Sequence, residues 1–193
     1  MRSRSNDPFA LALQRGTAAV LDAVVAVEAS NPVVLIDGRS GAGKTTLSRM
    51  LTANWPLSAR PQLVALDSIY PGWDGMDAGA EKALHDVLRP HARGLLSTWR
   101  RWDWNDQSEA EAHAVSPALG LIVEGCGVLT PASARIADVR VWVESPETSR
   151  KRRALERDGD GFRPHWDRWA TQEDKHIARD DPRSLADVTV VLP

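Results

Sequence analysis

Val33-Val34-Leu35-Ile36-Asp37-Gly38-Arg39-Ser40-Gly41-Ala42-Gly43-Lys44-Thr45-Thr46-Leu47 is the stretch from which the architecture can be read. Residues 33–37 are a short, β-branched apolar run, the composition of a strand buried on both faces of a parallel sheet. Gly38 to Thr45 satisfies the phosphate-loop pattern G-x-x-x-x-G-K-S/T at each required position. Glycine carries no Cβ, so backbone N–H groups can close around phosphate oxygens. Lys44 supplies a cation for the β- and γ-phosphates, and the Thr45 hydroxyl is a ligand for Mg²⁺. Leu47, Met50, Leu51 and Trp55 then recur at helical spacing up to Pro56. The helix they predict points its N-terminus at the same anion. The expected nucleotide contacts are therefore Gly38, Ser40, Gly41, Ala42, Gly43, Lys44, Thr45 and Thr46.

The rest of the chain bounds that reading. Its 193 residues suit one domain with a full core. Hydrophobic residues make up 42% and charged residues 26%, the balance of a globular protein. A net charge of −2 without a basic tract argues against nonspecific binding to nucleic acid. The one cysteine, Cys126, excludes an internal disulfide, fits a reducing cytoplasmic setting, and is expected to be a small buried hydrophobe. No signal peptide or membrane span is expected. The most apolar stretch, Ala18 to Val27, is ten residues long and Asp22 interrupts it. The five histidines show no metal-ligand spacing and read mostly as surface or helix-face residues. Eight tryptophans stand beside one tyrosine and two phenylalanines. Trp73, Trp102, Trp104, Trp166 and Trp169 lie in polar surroundings, where core packing and a ligand cleft are the two readings. The sequence does not reveal an oligomeric state.

Asn6-Asp7-Pro8 marks a helix start, with Asp7 as N-cap. This N-terminal helix, within residues 1–30, is expected to reach about Glu28 with Leu13, Val20, Val24 and Val27 on one stripe. Further strands are predicted at Gln62–Asp67, Leu119–Glu124, Val139–Val143 and Val188–Leu192, and an extended segment at Thr98–Trp104. A helix is predicted over Ala78–Leu88, ended by Arg89-Pro90, with a loop over 68–77 ahead of it. Helices over Pro146–Arg157 and Pro164–Arg179 flank a break at Asp158-Gly159-Asp160-Gly161. This alternation predicts a single α/β domain over 1–193, a P-loop NTPase three-layer sandwich. Its five-stranded parallel sheet would carry helices on both faces and a small Arg-rich lid over 150–165.

Ligands of such sheets bind beyond the C-terminal strand ends, which singles out three acids. Asp37 abuts the loop and is expected to brace it. Asp67 is placed to orient or deprotonate an acceptor hydroxyl, and Glu124 to coordinate Mg²⁺ through water. Either acid could alternatively cap the following helix.

Gly38 to Leu47, Asp67-Ser68-Ile69-Tyr70 and Val123-Glu124-Gly125 together resemble the uridine kinase and phosphoribulokinase group of P-loop kinases over roughly the first 125 residues. The group carries its base in a D-D-x-Y segment. Asp67 and Tyr70 match the first acid and the tyrosine, while Ser68 stands where the second acid would be. The chain also resembles bacterial uridine-kinase-like proteins with a Y-P-G-W-D-G segment. The resemblance implies ATP and Mg²⁺ as cofactors, a small-molecule phosphate acceptor, and transfer of the γ-phosphoryl group to a hydroxyl.

Three further segments bear on the acceptor and the lid. Tyr70-Pro71-Gly72-Trp73 predicts a type II turn holding Trp73 and Asp74 just after Asp67. Trp73 either stacks on a planar acceptor or packs downward, and Asp74 could accept a sugar hydroxyl. In an extended 98–105 segment, Arg101 and Asp103 share one face, opposite Arg100, Trp102 and Trp104. That pair contacts either the acceptor or only itself, at the surface. Arg150, Arg153 and Arg157 share a helix face at i, i+3, i+7. The resemblance to nucleoside and nucleotide kinases implies a lid there, with Arg150 on the nucleotide and Arg153 and Arg157 on the transferring phosphate. The alternative is a solvated face paired with Glu147, Glu156 and Asp158. Two rival classes are weaker. A GTPase switch would need an N-K-x-D segment, and a transport-associated or regulatory ATPase of the transporter type would carry an L-S-G-G-Q-like signature; neither is present.

Overall fold

The computed structural model describes residues 7–193, the side chain of Asp160 excepted. Asn6 at the expected helix start, the rest of segment 1–6, and the Asp160 side chain in the expected break lie outside the described residues. The central strand is β1 (Val33–Gly38), all six residues of which are buried. Around it the sheet runs β2 (Gln62–Ala65), β5 (Leu121–Glu124), β1, β6 (Val139–Glu144), β7 (Val188–Val191). All four pairings are parallel, and Ile36 of β1 stands opposite both Glu124 and Val141.

Successive strand side chains point to opposite faces, so a strand buried on both sides feeds two cores. Val33, Leu35, Leu121 and Val123 enter one core with Val64, Met76, Val87 and Trp169. Val34, Ile36, Ile122 and Val141 enter the other with Leu13, Val20, Leu47 and Leu51. Helices α1 (Pro8–Ala26) and α2 (Lys44–Ala53) cover the second core. Helix α3 (Met76–Lys82) and helix α7 (Trp166–Asp180) cover the first. These are the three expected layers.

Asp7 caps α1 by accepting the Phe9 N–H at 3.1 Å, and Pro8 occupies the first helical position. This helix is longer than the expected apolar stretch. Its 19 residues are apolar enough, by length and composition, to cross a bilayer. Here its Leu13, Thr17, Val20 and Val24 stripe is buried, in a helix packed on β7, β6 and α2.

Two local expectations are corrected. The helix expected to stop at Arg89-Pro90 continues through α4 (Arg89–Ala92). Residues Ala83–Leu88 are π-helical, and the wider turn accommodates a proline that lacks an N–H and would crowd the carbonyl behind it. The extended segment is β3 (Ser97–Asp103), and it has an unforeseen antiparallel partner, β4 (Ser108–Val115). This hairpin stands apart from the main sheet. Two short helices, α5 (Pro131–Ala134) and α8 (Pro182–Leu185), and helix α6 (Glu147–Phe162), which spans most of the expected lid, complete the set of α-helices.

Candidate active site

The phosphate loop leaves β1 and enters α2 at Lys44. Gly41 has φ +74°, and a Cβ there would lie 2.1 Å from the Arg150 carbonyl oxygen, so the close approach of α6 and the loop requires glycine. The Lys44 ammonium is buried and donates to the carbonyls of Gly38 (2.7 Å) and Arg39 (3.2 Å), with the Cys126 sulfur at 3.2 Å. Burial works against its charge, but Cys126, Glu124, Asp67 and Glu173 outweigh that and hold its pKa above the ordinary lysine value. Lys44 is therefore a standing cation at the loop.

Thr45 donates its hydroxyl to Glu124 at 2.8 Å. Burial pushes the Glu124 pKa up, Lys44 opposes it, and Asp67 adds to it. A cation bound there would relieve this buried charge. Among the described residues no group of three or more His, Cys, Asp or Glu could hold a metal by itself. Hydroxyl and carboxylate oxygens completed by phosphate oxygens and water form the donor set that suits Mg²⁺.

Three buried polar residues brace the loop from behind. Asp37 accepts the N–H groups of Gly38 (2.6 Å), Gly127 (3.0 Å) and Leu129 (2.8 Å), and binds Nε2 of His176 at 3.0 Å. It thereby ties the loop to the segment after β5 and to α7. The other ring nitrogen of His176 faces Asp180 at 2.9 Å. Burial pulls the His176 pKa down, but Asp37 and Asp180 overcome it and raise the value. Glu173 accepts the Ser40 N–H at 2.6 Å and Arg39 Nε at 2.8 Å. Cys126 is buried beneath the loop as expected, and burial pushes its thiol up to about 12.

Glu173 and His176 were not singled out from the sequence, yet a signal existed. The buried residues of α7 are Trp166, Trp169, Glu173 and His176, a stripe at i, i+3, i+7, i+10. Two ionisable residues on an otherwise aromatic stripe must find partners inside the protein.

A groove of about 220 Å³ runs over the loop past Gly43, Lys44, Thr45 and Thr46. It adjoins a larger cavity of about 550 Å³ walled by Tyr70, Trp73, Trp104, Phe162 and Trp169. Ser40, Thr45, Arg49, Asp67, Glu124 and Arg157 border both spaces. Asp67 sits on a 3-10 turn (Leu66–Ser68) just past β2, and its carbonyl accepts the Trp104 indole N–H at 2.9 Å. The tip of the β3–β4 hairpin is thus pinned to the residue between the two spaces.

The other expected acceptor contacts divide. Trp73 forms cavity wall within an aromatic cluster, with His165 stacked at 4.2 Å and Trp104 tilted at 4.7 Å. Tyr70 borders the cavity but is buried, and its hydroxyl donates to the Cys126 carbonyl at 2.8 Å, a structural bond. Asp74 is exposed and ion-paired with Arg168, outside the cavity lining. Arg101 pairs with Glu111 at 2.6 Å and Asp103 at 3.1 Å, also outside the lining, so of the two readings the structure presents the surface pair. The expected type II turn is also changed. Gly72 has φ +80° as that turn requires, but the closing bonds are Gly72 N–H to Tyr70 O (2.9 Å) and Gly75 N–H to Gly72 O (3.1 Å).

The lid arginines differ from one another. Arg150 is buried and donates to the Ser40 carbonyl at 3.2 Å, outside both spaces. Arg153 donates to the carbonyls of Gly41 (2.9 Å) and Pro193 (2.7 Å) and lines the groove but not the cavity. Arg157 borders both groove and cavity, held bidentately by Asp158 at 2.7 and 2.6 Å. The expected four-residue break shrinks to one non-helical residue, Gly159, inside α6.

No family model and no curated protein matches the sequence. Solved structures do match the fold. One is a protein assigned as a uridine kinase from Bacillus stearothermophilus, with TM-score 0.67 and 18% identity, covering 92% of this chain and 98% of that one. Another is a protein assigned as a fructose transport system kinase from Silicibacter sp. TM1040, with TM-score 0.55 and 20% identity, covering 90% of this chain and 98% of that one. The chain therefore shares its fold, a five-stranded parallel sheet flanked by helices, with these two solved structures.

Proposed function

We propose that the protein is a phosphotransferase that moves the γ-phosphoryl group of ATP to a hydroxyl of a small molecule, with a nucleoside or sugar as the acceptor class. The observation that carries this reading is that Asp67, Glu124, Thr45 and Arg157 border both the loop groove and the aromatic cavity. An enzyme that only hydrolysed ATP would have no use for a chamber of about 550 Å³ at the γ-phosphate end. The fold likeness to proteins assigned as kinases of a nucleoside and of a sugar transport system agrees with it.

In this reading the polyphosphate lies over the N-terminus of α2, cradled by loop N–H groups and Lys44. Thr45 and Glu124 would hold Mg²⁺, which would supply neutralisation of the charge on the phosphate oxygens. The acceptor hydroxyl enters from the aromatic cavity, and Asp67 takes its proton as the oxygen bonds to phosphorus and the bond to the ADP oxygen breaks. Arg157 leaves Asp158 to meet the charge on the transferring group, suited by its permanently charged planar fork. The aromatic walls suit a base or the C–H face of a sugar.

The test is Asp67→Asn with a panel of nucleosides, sugars and vitamin precursors. ATP-analogue affinity by calorimetry should change little, while transfer to the best acceptor falls by about 10²–10⁴-fold. Turnover near that of the parent protein would remove Asp67 from its role.

A further inference from the structure

We infer that Phe9, from the first turn of α1, is the stacking wall for the base of the nucleoside triphosphate, an inference that rests on the phosphotransferase reading above. Six residues are common to groove and cavity, and in that reading they mark the γ-phosphate end. The nucleoside must therefore leave at the end that the cavity does not share. Apart from residues of the loop and α2 and the buried Cys126, the groove lining that the cavity does not share is Phe9, Arg153 and Ala154. Phe9 is its one aromatic side chain among the described residues.

Its placement is built. The Phe9 ring comes within 3.7 Å of where a Cβ on Gly43 would stand, so it overhangs the entry to α2. The Arg153 guanidinium lies 5.1 Å from the ring centroid. Arg153 is itself held by the carbonyls of Gly41 and Pro193 and by the Ser145 hydroxyl. Ring and guanidinium thus form one half-buried platform anchored to the phosphate loop and to residue 193. A π-face of this kind binds a base without reading its hydrogen-bonding edge. Phe9 packs at the edge of the core filled by Leu13, Val20 and Val24 and at the same time lines the groove.

The experiment measures binding of ATP and of inorganic tripolyphosphate to the parent protein, Phe9→Leu and Phe9→Tyr. Leucine keeps apolar packing and removes the π-face; tyrosine keeps both. Phe9→Leu should weaken ATP about tenfold, the loss of one base–aromatic stack. Tripolyphosphate affinity should stay within about twofold, and Phe9→Tyr should restore ATP binding. Unchanged ATP affinity in Phe9→Leu overturns the assignment. Equal losses for ATP and tripolyphosphate overturn it too, because the helix would then be supporting the loop. If the parent protein binds tripolyphosphate but gains nothing from the nucleoside, the stacking wall alone falls. If it binds neither, the phosphotransferase reading falls and takes this inference with it.

Discussion

The phosphate loop and the aromatic cavity share Asp67 and Glu124 but are made in opposite ways. The loop offers backbone N–H groups from consecutive residues, and buried polar side chains behind it (Asp37, Glu173, His176) hold that backbone still. The cavity offers side chains from separated segments: the turn after β2, the hairpin tip, α6 and α7. In the proposed reading, one half takes a phosphate that every substrate of its class carries. The other half can change its walls without disturbing the first. The difference locates generic chemistry in backbone geometry and specificity in side chains carried on removable elements.

Substitutions at four positions would break or sharpen this contrast. Lys44→Ala should have the largest effect, reducing transfer by roughly 10³-fold, the scale of removing a preorganised electrostatic contact. It should weaken ATP and leave acceptor binding alone. Acceptor binding lost in parallel, measured by thermal shift, would mean that the two halves are not separable.

Glu173→Ala tests whether the brace matters. Losing charge-assisted bonds to Ser40 and Arg39, worth about 1.5–3 kcal/mol, predicts roughly 10–100-fold weaker ATP binding by calorimetry. Glu173→Gln keeps an oxygen for the Ser40 N–H and should recover part of the loss. Recovery to full affinity would show that the carboxylate charge is immaterial.

Trp104→Phe acts on the other half. It keeps an aromatic wall and removes the indole N–H that holds the Asp67 carbonyl. One neutral hydrogen bond, about 1 kcal/mol, predicts a roughly fivefold higher acceptor KM with the KM for ATP unchanged. A rise in the ATP value instead would place the hairpin on the nucleotide side.

His176 gives the smallest and the pH-dependent effect. Its pKa in the fold is raised above the ordinary 6.5. The stabilisation from protonated His176 between Asp37 and Asp180 is therefore fully present below about 6.5 and is lost as pH rises through the folded value. Arg179, paired with Asp180 at 2.7 Å, is the cation that faces the same acid. Thermal melts should show Tm falling across that interval, by about 2–4 °C per kcal/mol in a chain of this size. His176→Gln should flatten the slope. A slope that persists in the variant would assign the titration elsewhere.

Legibility followed the same division. Residues 33–47 were readable because strand, loop and helix there are each written in contiguous residues, and the main sheet followed from four further apolar runs. The hairpin partner β4 was not readable. Ser108-Glu109-Ala110-Glu111-Ala112-His113-Ala114-Val115 is rich in glutamate and alanine, residues depleted in strands, and it is held by pairing with β3 and by ion pairs from Lys82 and Arg101. The lid arginines were readable as one helix face. Their separate fates depend on which loop carbonyl or acid each one meets.

By itself the sequence determined a phosphate-binding loop at Gly38–Thr45, on a parallel sheet, with acids at 67 and 124 beyond the strand ends. Those features are local, because hydrogen-bonding backbone and strand periodicity act over a few residues. Only the tertiary structure decided that Glu173 and His176 hold the loop, that Asp74, Arg101 and Asp103 stay outside the cavity, and that Phe9 overhangs α2. Each of those outcomes depends on side chains far apart in sequence sharing one small volume, and their desolvation and pairing energies exist only once the chain has closed around them.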